Sequence, residues 1–143
     1  MLRIGCLSVL CLSMVAVAVA QEANDEKAIQ GTWTPVKAEL SGEAFPDAVL
    51  KTIVLKLEGD KYEVTVAGQL DKGTCKLDPA AKPKGLMIMG TDGPNKGKTF
   101  PCIYELSGDT LRVCYDLAGK KAPTEFKTAA GTQHYLVEYA RKK

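Results

Sequence analysis

The sequence predicts an all-β protein, a small up-and-down meander β-barrel of eight or nine strands with one or two short helical turns. From Thr32 onward apolar residues recur with a period near two, in runs of about five to eight residues separated by Gly, Asp and Pro. Two pairs of runs flank a Gly-Asp dipeptide, and no long window has the period of a helix. Such a meander removes its exposed edges by closing into a barrel.

Residues 1–20 are predicted to be a secretory signal peptide. The only charge is Arg3, an almost unbroken apolar run extends from Ile4 to Val19, and Ala18-Val19-Ala20 has the small-x-small pattern that signal peptidase accepts. A retained anchor is the alternative, but the run is barely long enough to span a bilayer and lacks flanking stop-transfer charges. We therefore expect cleavage before Gln21, export to the periplasm or the extracellular space, and no stable membrane insertion of the mature chain.

The mature chain is predicted to form one domain behind a short lead-in. Residues 21–30 are the lead-in, where Asn24 or Asp25 can cap one helical turn that Gly31 ends, and residues 31–143 are the barrel. The whole chain carries 19 Lys and Arg against 17 Asp and Glu, a net charge of +2. This weak and dispersed charge provides no field to attract nucleic acid, so no nucleic-acid partner is expected.

A first hairpin is predicted with Gly59-Asp60 at the centre of a tight turn. In that register Leu57 faces Tyr62 and Leu55 faces Val64, which places the large apolar side chains of this segment on one side of the ribbon. On the other side Lys56 opposes Glu63, a cross-strand pair of opposite charge. A slip of one residue would reverse every assignment.

A second hairpin is predicted around Gly108-Asp109 by the same rule. Leu106 then faces Leu111, Tyr104 faces Val113, and Glu105 opposes Arg112 on the outer side. In both turns the glycine can take a positive φ at the first central position, and a three-residue loop with a bulge is the alternative.

The remaining elements are delimited by turn residues. Phe45-Pro46-Asp47 opens one helical turn through Leu50, because Pro fits the first turn of a helix. The other predicted strands are Gln69–Leu77, Gly85–Gly90, one at Phe126, and Tyr135–Tyr139.

Three cysteines follow the signal peptide, Cys75, Cys102 and Cys114. An odd number leaves at least one unpaired or paired between chains, and their spacings do not resemble zinc pairs. In the register of the second hairpin Cys102 points inward and Cys114 outward, which disfavours a bridge between them. We expect buried or half-buried thiols, with a single disulfide as the alternative.

Short strings along Ile29–Arg141 resemble, in their order, a lipocalin-like domain family of exported planctomycete proteins. Each string is weak alone, and the order over the mature domain carries the resemblance. The strings are Gly31–Trp33, Gly59–Tyr62, Leu77–Pro79, Lys82–Lys84, Gly97–Thr99, Ile103–Leu106, Gly108–Leu111 and Pro123–Phe126. The resemblance implies a calycin-type meander barrel in an exported protein, with no assigned activity.

The same resemblance implies a structural plug at one end of the barrel. In lipocalins the Trp of a Gly-x-Trp signature closes one end, and a late Arg lies across its ring. Trp33 and Arg141 occupy the matching places in this sequence. A cation over an indole contributes roughly 0.5 to 2 kcal/mol, so we assign this pair to closure of the barrel rather than to ligand contact.

No catalytic or metal-binding constellation is predicted. Gly93–Thr99 resembles a phosphate-binding loop, but it is one residue too short and leads into a strand instead of a helix. His134 is the only histidine and has no evident nucleophile partner. Asp71 and Glu63 cannot be placed together, and a solvated position is the default for such carboxylates. We therefore predict a non-enzymatic protein without a cofactor or a metal.

The candidate functional residues are inward-facing apolar and aromatic side chains. The hairpin registers aim five of them into the barrel: Leu55, Leu57, Tyr62, Tyr104 and Tyr115. Buried tyrosine hydroxyls need partners, which a ligand or the core itself can supply. Binding of a small apolar or amphipathic ligand in the barrel is the first hypothesis.

An interaction module is the alternative hypothesis. Short strands allow an interior filled by side chains, and the rim loops Thr91–Lys98 and Leu117–Thr124 would then engage a protein or a cell-envelope polymer, as an inhibitor does. Cavity volume discriminates the two hypotheses, because an enclosed apolar space of about 300 Å³ or more favours ligand binding.

Overall fold

The computed structural model describes residues 24–143, and the predicted signal peptide lies outside this range. Residues 24–28 (α1) and Asp47–Leu50 (α2) form two short helices. The strands are β1 (Gly31–Leu40), β2 (Glu43–Ala44), β3 (Val54–Glu58), β4 (Lys61–Val66), β5 (Gln69–Asp78), β6 (Gly85–Asp92), β7 (Thr99–Ser107), β8 (Thr110–Asp116) and β9 (His134–Arg141).

The sheet closes on itself because β1 pairs antiparallel with both β3 and β9. From β3 to β9 each strand pairs with the next in the chain, so eight strands form the closed barrel. β2 only extends the far end of β1. The predicted fold class is thus confirmed, with the two short helices. The strand predicted at Phe126 is wrong, because that residue lies in an irregular segment.

Both predicted hairpin registers are confirmed. Leu57 pairs with Tyr62 across the first turn, and Tyr104 pairs with Val113 across the second. Gly59 and Gly108 have φ angles of 63° and 58°, whereas the aspartate that follows each is not among the residues with positive φ. This pattern is that of a type II′ turn, whose twist suits the flanking strands.

Both predicted cross-strand charge pairs lie opposite each other in register, but only one of them forms a salt bridge. Glu105 and Arg112 form an ion pair at 2.8 Å, as predicted. Lys56 lies opposite Glu63 in register but pairs with Glu58 at 3.4 Å, and Lys72 of β5 contacts Glu63 at 3.6 Å. These side chains are exposed, and exposed ion pairs contribute too little energy to select one partner over another.

The segment 117–133 crosses the outer face of the barrel. Ile103 and Cys114 pair with each other in a register that faces outward, yet both are buried. The ring of Phe126 lies 4.2 Å below the guanidinium of Arg112 on the same face. The segment therefore forms an outer layer over Cys114, whose thiol donates to the carbonyl of Lys127.

All three cysteines of the described residues are free. Cys102 faces the interior and Cys114 the outer layer, so the sheet itself separates their sulfur atoms. Burial raises the pKa of Cys75 to about 11 and that of Cys114 to about 11. The thiols are therefore protonated at neutral pH and act as small apolar side chains.

The two ends of the barrel differ in the connections that they carry. The closed end carries α1 and the connections 59–60, 79–84 and 108–109, together with the end of β9. The open end carries the connections 41–53, 67–68, 93–98 and 117–133. The two longest connections, 41–53 and 117–133, are thus gathered at the same end.

Candidate functional site

The barrel encloses a cavity of about 360 Å³. Its wall is mostly apolar, and exposed or half-buried lining residues at the open end, namely Val66, Asn95, Lys98 and Leu117, mark its mouth. The volume lies in the lower part of the range of roughly 300–1,000 Å³ for small-molecule sites. The interior is therefore not filled by side chains, which the short strands had allowed.

Four of the five candidate residues, Leu55, Leu57, Tyr62 and Tyr115, line this cavity. Tyr104 is buried but does not contribute to the wall. Its hydroxyl turns to the closed end and donates to the carboxylate of Asp25 at 2.7 Å. The assignment of Tyr104 to the cavity is therefore corrected, because a structural acid already satisfies its hydroxyl.

Trp33 and Arg141 close the other end. The indole of Trp33 is completely buried, and its Nε1 donates to the carbonyl of Ile29 at 2.9 Å. The guanidinium of Arg141 lies 4.3 Å from the centroid of the indole and also donates to the carbonyls of Ala28 and Gln30. The last strand is thus fastened to the N-terminal helix across the tryptophan.

Gly31 is needed for this closure. A Cβ at this position would lie 2.9 Å from Nη1 of Arg141, and the backbone has a φ of +128°. The φ angle disfavours any side chain, since only glycine adopts such a conformation at low cost, and a Cβ would also require the guanidinium of Arg141 to move.

An ion pair holds α1 against the barrel wall. Asp25 is buried and accepts from Nζ of Lys84 at 2.8 Å as well as from the hydroxyl of Tyr104. The predicted lead-in is therefore part of the closed end. Sequence reasoning missed this contact because its partners are distant in the chain.

A buried carboxylate faces the cavity near its mouth. Asp71 pairs with Val64 in β4, so its side chain points inward, and it is 6% exposed. Its Oδ2 accepts from the hydroxyl of Tyr62 at 3.0 Å and from Nδ2 of Asn95 at 2.9 Å, and its Oδ1 accepts from the backbone N–H of Asn95 at 3.1 Å. The expectation of a solvated position is wrong for Asp71, which fastens the 93–98 loop over the cavity.

Gly73 provides the space for this arrangement. A Cβ there would lie 2.5 Å from Cε1 of Tyr62 and 2.0 Å from the carbonyl oxygen of Met89. The ring of Tyr62 therefore packs against Gly73, and its hydroxyl reaches the carboxylate of Asp71. Burial and the Asp71 carboxylate both raise the pKa of Tyr62, which keeps its hydroxyl protonated and able to donate.

Tyrosines also line the opposite wall. The hydroxyls of Tyr115 and Tyr139 lie 3.0 Å apart, and the ring of Tyr115 stacks on that of Tyr135 at 5.4 Å between centroids. Burial raises the pKa of Tyr135 to about 12. Tyr135 lines the cavity, and its hydroxyl has no hydrogen-bond partner within residues 24–143.

Asp116 organises a rim loop at the mouth. Its carboxylate accepts the backbone N–H groups of Ala118, Lys120 and Lys121 at 3.1, 3.0 and 2.9 Å. Burial alone would raise the pKa of Asp116, but these donors outweigh it and lower the pKa. The start of the 117–133 segment is therefore anchored.

No group of three or more His, Cys, Asp or Glu within 24–143 is arranged to hold a metal ion. Gly93–Thr99 connects two strands and opens no helix. No helix in the described range is long and apolar enough to cross a membrane.

No protein-family model matches the sequence, and no curated protein matches it. The fold is similar to that of a DUF4847 family protein from Bacteroides vulgatus ATCC 8482, known from a crystal structure at 1.00 Å resolution. The TM-score is 0.50 at 14% identity, and the match covers 83% of this chain and 97% of that chain. At this identity the likeness shows the fold alone. The resemblance to the planctomycete family stays a prediction.

Proposed function

We propose that the protein is an exported, non-enzymatic binding protein that holds a small apolar or amphipathic molecule in the barrel cavity. The observation that carries the proposal is the cavity of about 360 Å³, whose wall includes Ile29 near the closed end and Asn95, Lys98 and Leu117 near the open end. Apolar walls with a few directed polar groups are the usual composition of small-molecule sites.

The polar groups of the wall support an amphipathic ligand. Leu55, Leu57 and Val113 supply apolar contact area in the interior, and the hydroxyl of Tyr135 is free to bond. A filled interior would favour the interaction-module hypothesis, whereas a cavity of about 360 Å³ favours ligand binding. Ligand binding is therefore the preferred function.

A neutral apolar dye, N-phenyl-1-naphthylamine, tests the proposal. If each non-hydrogen atom of the dye contributes about 0.4 kcal/mol of binding free energy, the dye is expected to bind with a Kd of about 10 μM. Its fluorescence is expected to increase on binding. The variant Val64→Phe fills the cavity and is expected to weaken binding by about tenfold or more, because Val64 lines the wall.

Val36→Phe is the matched control, since Val36 is 57% exposed on the outside of β1. It is expected to bind the dye as the wild type does, and urea unfolding checks that both variants fold. Unchanged binding in a folded Val64→Phe, or no binding in the wild type, would contradict the proposal.

A further inference from the structure

Asp71 carries a buried charge that faces the cavity without a cation. Within residues 24–143 no Lys, Arg or His forms an ion pair with its carboxylate. Of the other buried acids, Asp25 has Lys84 at 2.8 Å, and Asp116 accepts three backbone N–H groups but does not line the cavity. Buried charges are ordinarily paired.

The carboxylate of Asp71 also has acceptor capacity to spare. An ionised carboxylate offers about four acceptor positions. Tyr62 and Asn95 fill three of them, and all three donors are neutral groups. One position is therefore left for a donor that enters the cavity.

The residue types at this point are unusual for their positions. The alternation of β5 that turns Cys75 into the cavity also turns Asp71 inward and leaves Leu70 43% exposed to solvent. An apolar side chain is ordinarily found at the inward position and a charged one outside. The contact with Asn95 explains the hydrogen bonds of the carboxylate, but it does not supply the missing positive charge.

Lys98 is the other charged residue of the cavity wall, and it lies exposed at the mouth. Water and salt screen an exposed charge, and at equal distance a charge pair is about four times stronger at an effective dielectric of 20 than in bulk water. Asp71 therefore determines which ligand charge the cavity favours.

We propose that the ligand is a small lipophilic amine, protonated at neutral pH, whose ammonium group bonds to Asp71 while its apolar part fills the cavity. The inference rests on the proposed function, because it assigns a ligand class to the same cavity. It also gives Asp71 the counter-charge that the chain does not provide.

Displacement of bound N-phenyl-1-naphthylamine at pH 7 by decylamine, decanol and decanoate tests the inference. The three share one alkyl chain, and the amine is cationic because its pKa is near that of lysine, about 10.4. We expect decylammonium to compete about tenfold better than decanol, and decanoate to compete worse than decanol.

Two variants identify the residue whose charge causes the preference for the ammonium. Asp71→Asn keeps the side-chain shape, and it is expected to bring the affinities of decylammonium and decanol to within about twofold of each other. Lys98→Gln is the matched control and is expected to keep the preference for the ammonium. Salt dependence of the wild type provides an independent test. The ratio of the affinities for decylammonium and decanol should persist in 0.5 M salt, since screening acts on exposed charges far more than on buried ones.

Three results would overturn the inference. The first is equal competition by all three compounds. The second is a preference for decanoate that Lys98→Gln abolishes. The third is a preference for the ammonium that persists in Asp71→Asn or disappears in 0.5 M salt. Each of these leaves cavity binding intact. Failure of the dye itself to bind would instead contradict the proposed function, and the inference with it.

Discussion

Replacing Trp33 by alanine is expected to lower the free energy of unfolding by about 3 to 5 kcal/mol, the usual cost of removing a large aromatic side chain from a core. The indole is completely buried and bonded to the carbonyl of Ile29. Its loss also removes the surface on which the guanidinium of Arg141 lies, at 4.3 Å. The substitution therefore opens a void at the closed end and detaches α1 from β9.

Equilibrium urea unfolding followed by far-ultraviolet circular dichroism measures this change. Fluorescence is unsuitable because Trp33 is the only tryptophan of the chain. Met87→Ala serves as a control, since Met87 is 39% exposed on the outer face, and a shift within about 0.5 kcal/mol is expected. An unchanged unfolding midpoint for Trp33→Ala would show that the tryptophan does not close the barrel.

Replacing Lys84 by methionine is expected to lower the free energy of unfolding by about 2 to 3 kcal/mol. Removing one partner of a buried ion pair costs about 3 to 5 kcal/mol because the other charge is left uncompensated. The value is discounted here, because the side chain of Lys84 is 26% exposed and Tyr104 still donates to Asp25. The expected structural effect is local release of α1 from the barrel wall.

A double-mutant cycle separates this effect from lost packing. Asp25→Asn combined with Lys84→Met is expected to recover part of the lost stability, because no buried charge is then left alone. Lys56→Met is the control, since Lys56 forms an exposed pair with Glu58 that contributes little. Equal losses for Lys84→Met and Lys56→Met in urea unfolding would contradict a stabilising role of the Asp25 contact.

The parts of the fold that local chemistry determines could be predicted from the sequence. A glycine at the first turn position permits a type II′ turn, and alternation then sets the register of Leu57 against Tyr62 and of Tyr104 against Val113. The same registers placed Leu55 and Tyr115 inside the barrel. Short-range rules suffice for these residues because their partners are close in the chain.

Long-range contacts could not be predicted in the same way. The hydroxyl of Tyr104 is taken by Asp25, which lies in another part of the sequence. The cavity wall takes residues from the seven strands β3 to β9, so its volume depends on contacts across the whole domain. Asp71 was missed because an isolated carboxylate in a strand is ordinarily solvated. The signal that could have identified it is the alternation of β5, because a strand that turns Cys75 inward also turns Asp71 inward.

The central claim is that a small molecule occupies the interior of this barrel. Intermolecular nuclear Overhauser effects between bound N-phenyl-1-naphthylamine and the methyl groups of the protein test it most directly. We expect such effects at Leu55, Leu57 and Val113, which line the cavity, and none at Val36 on the outer face. Effects confined to Val36 and other outward-facing methyl groups would contradict the claim.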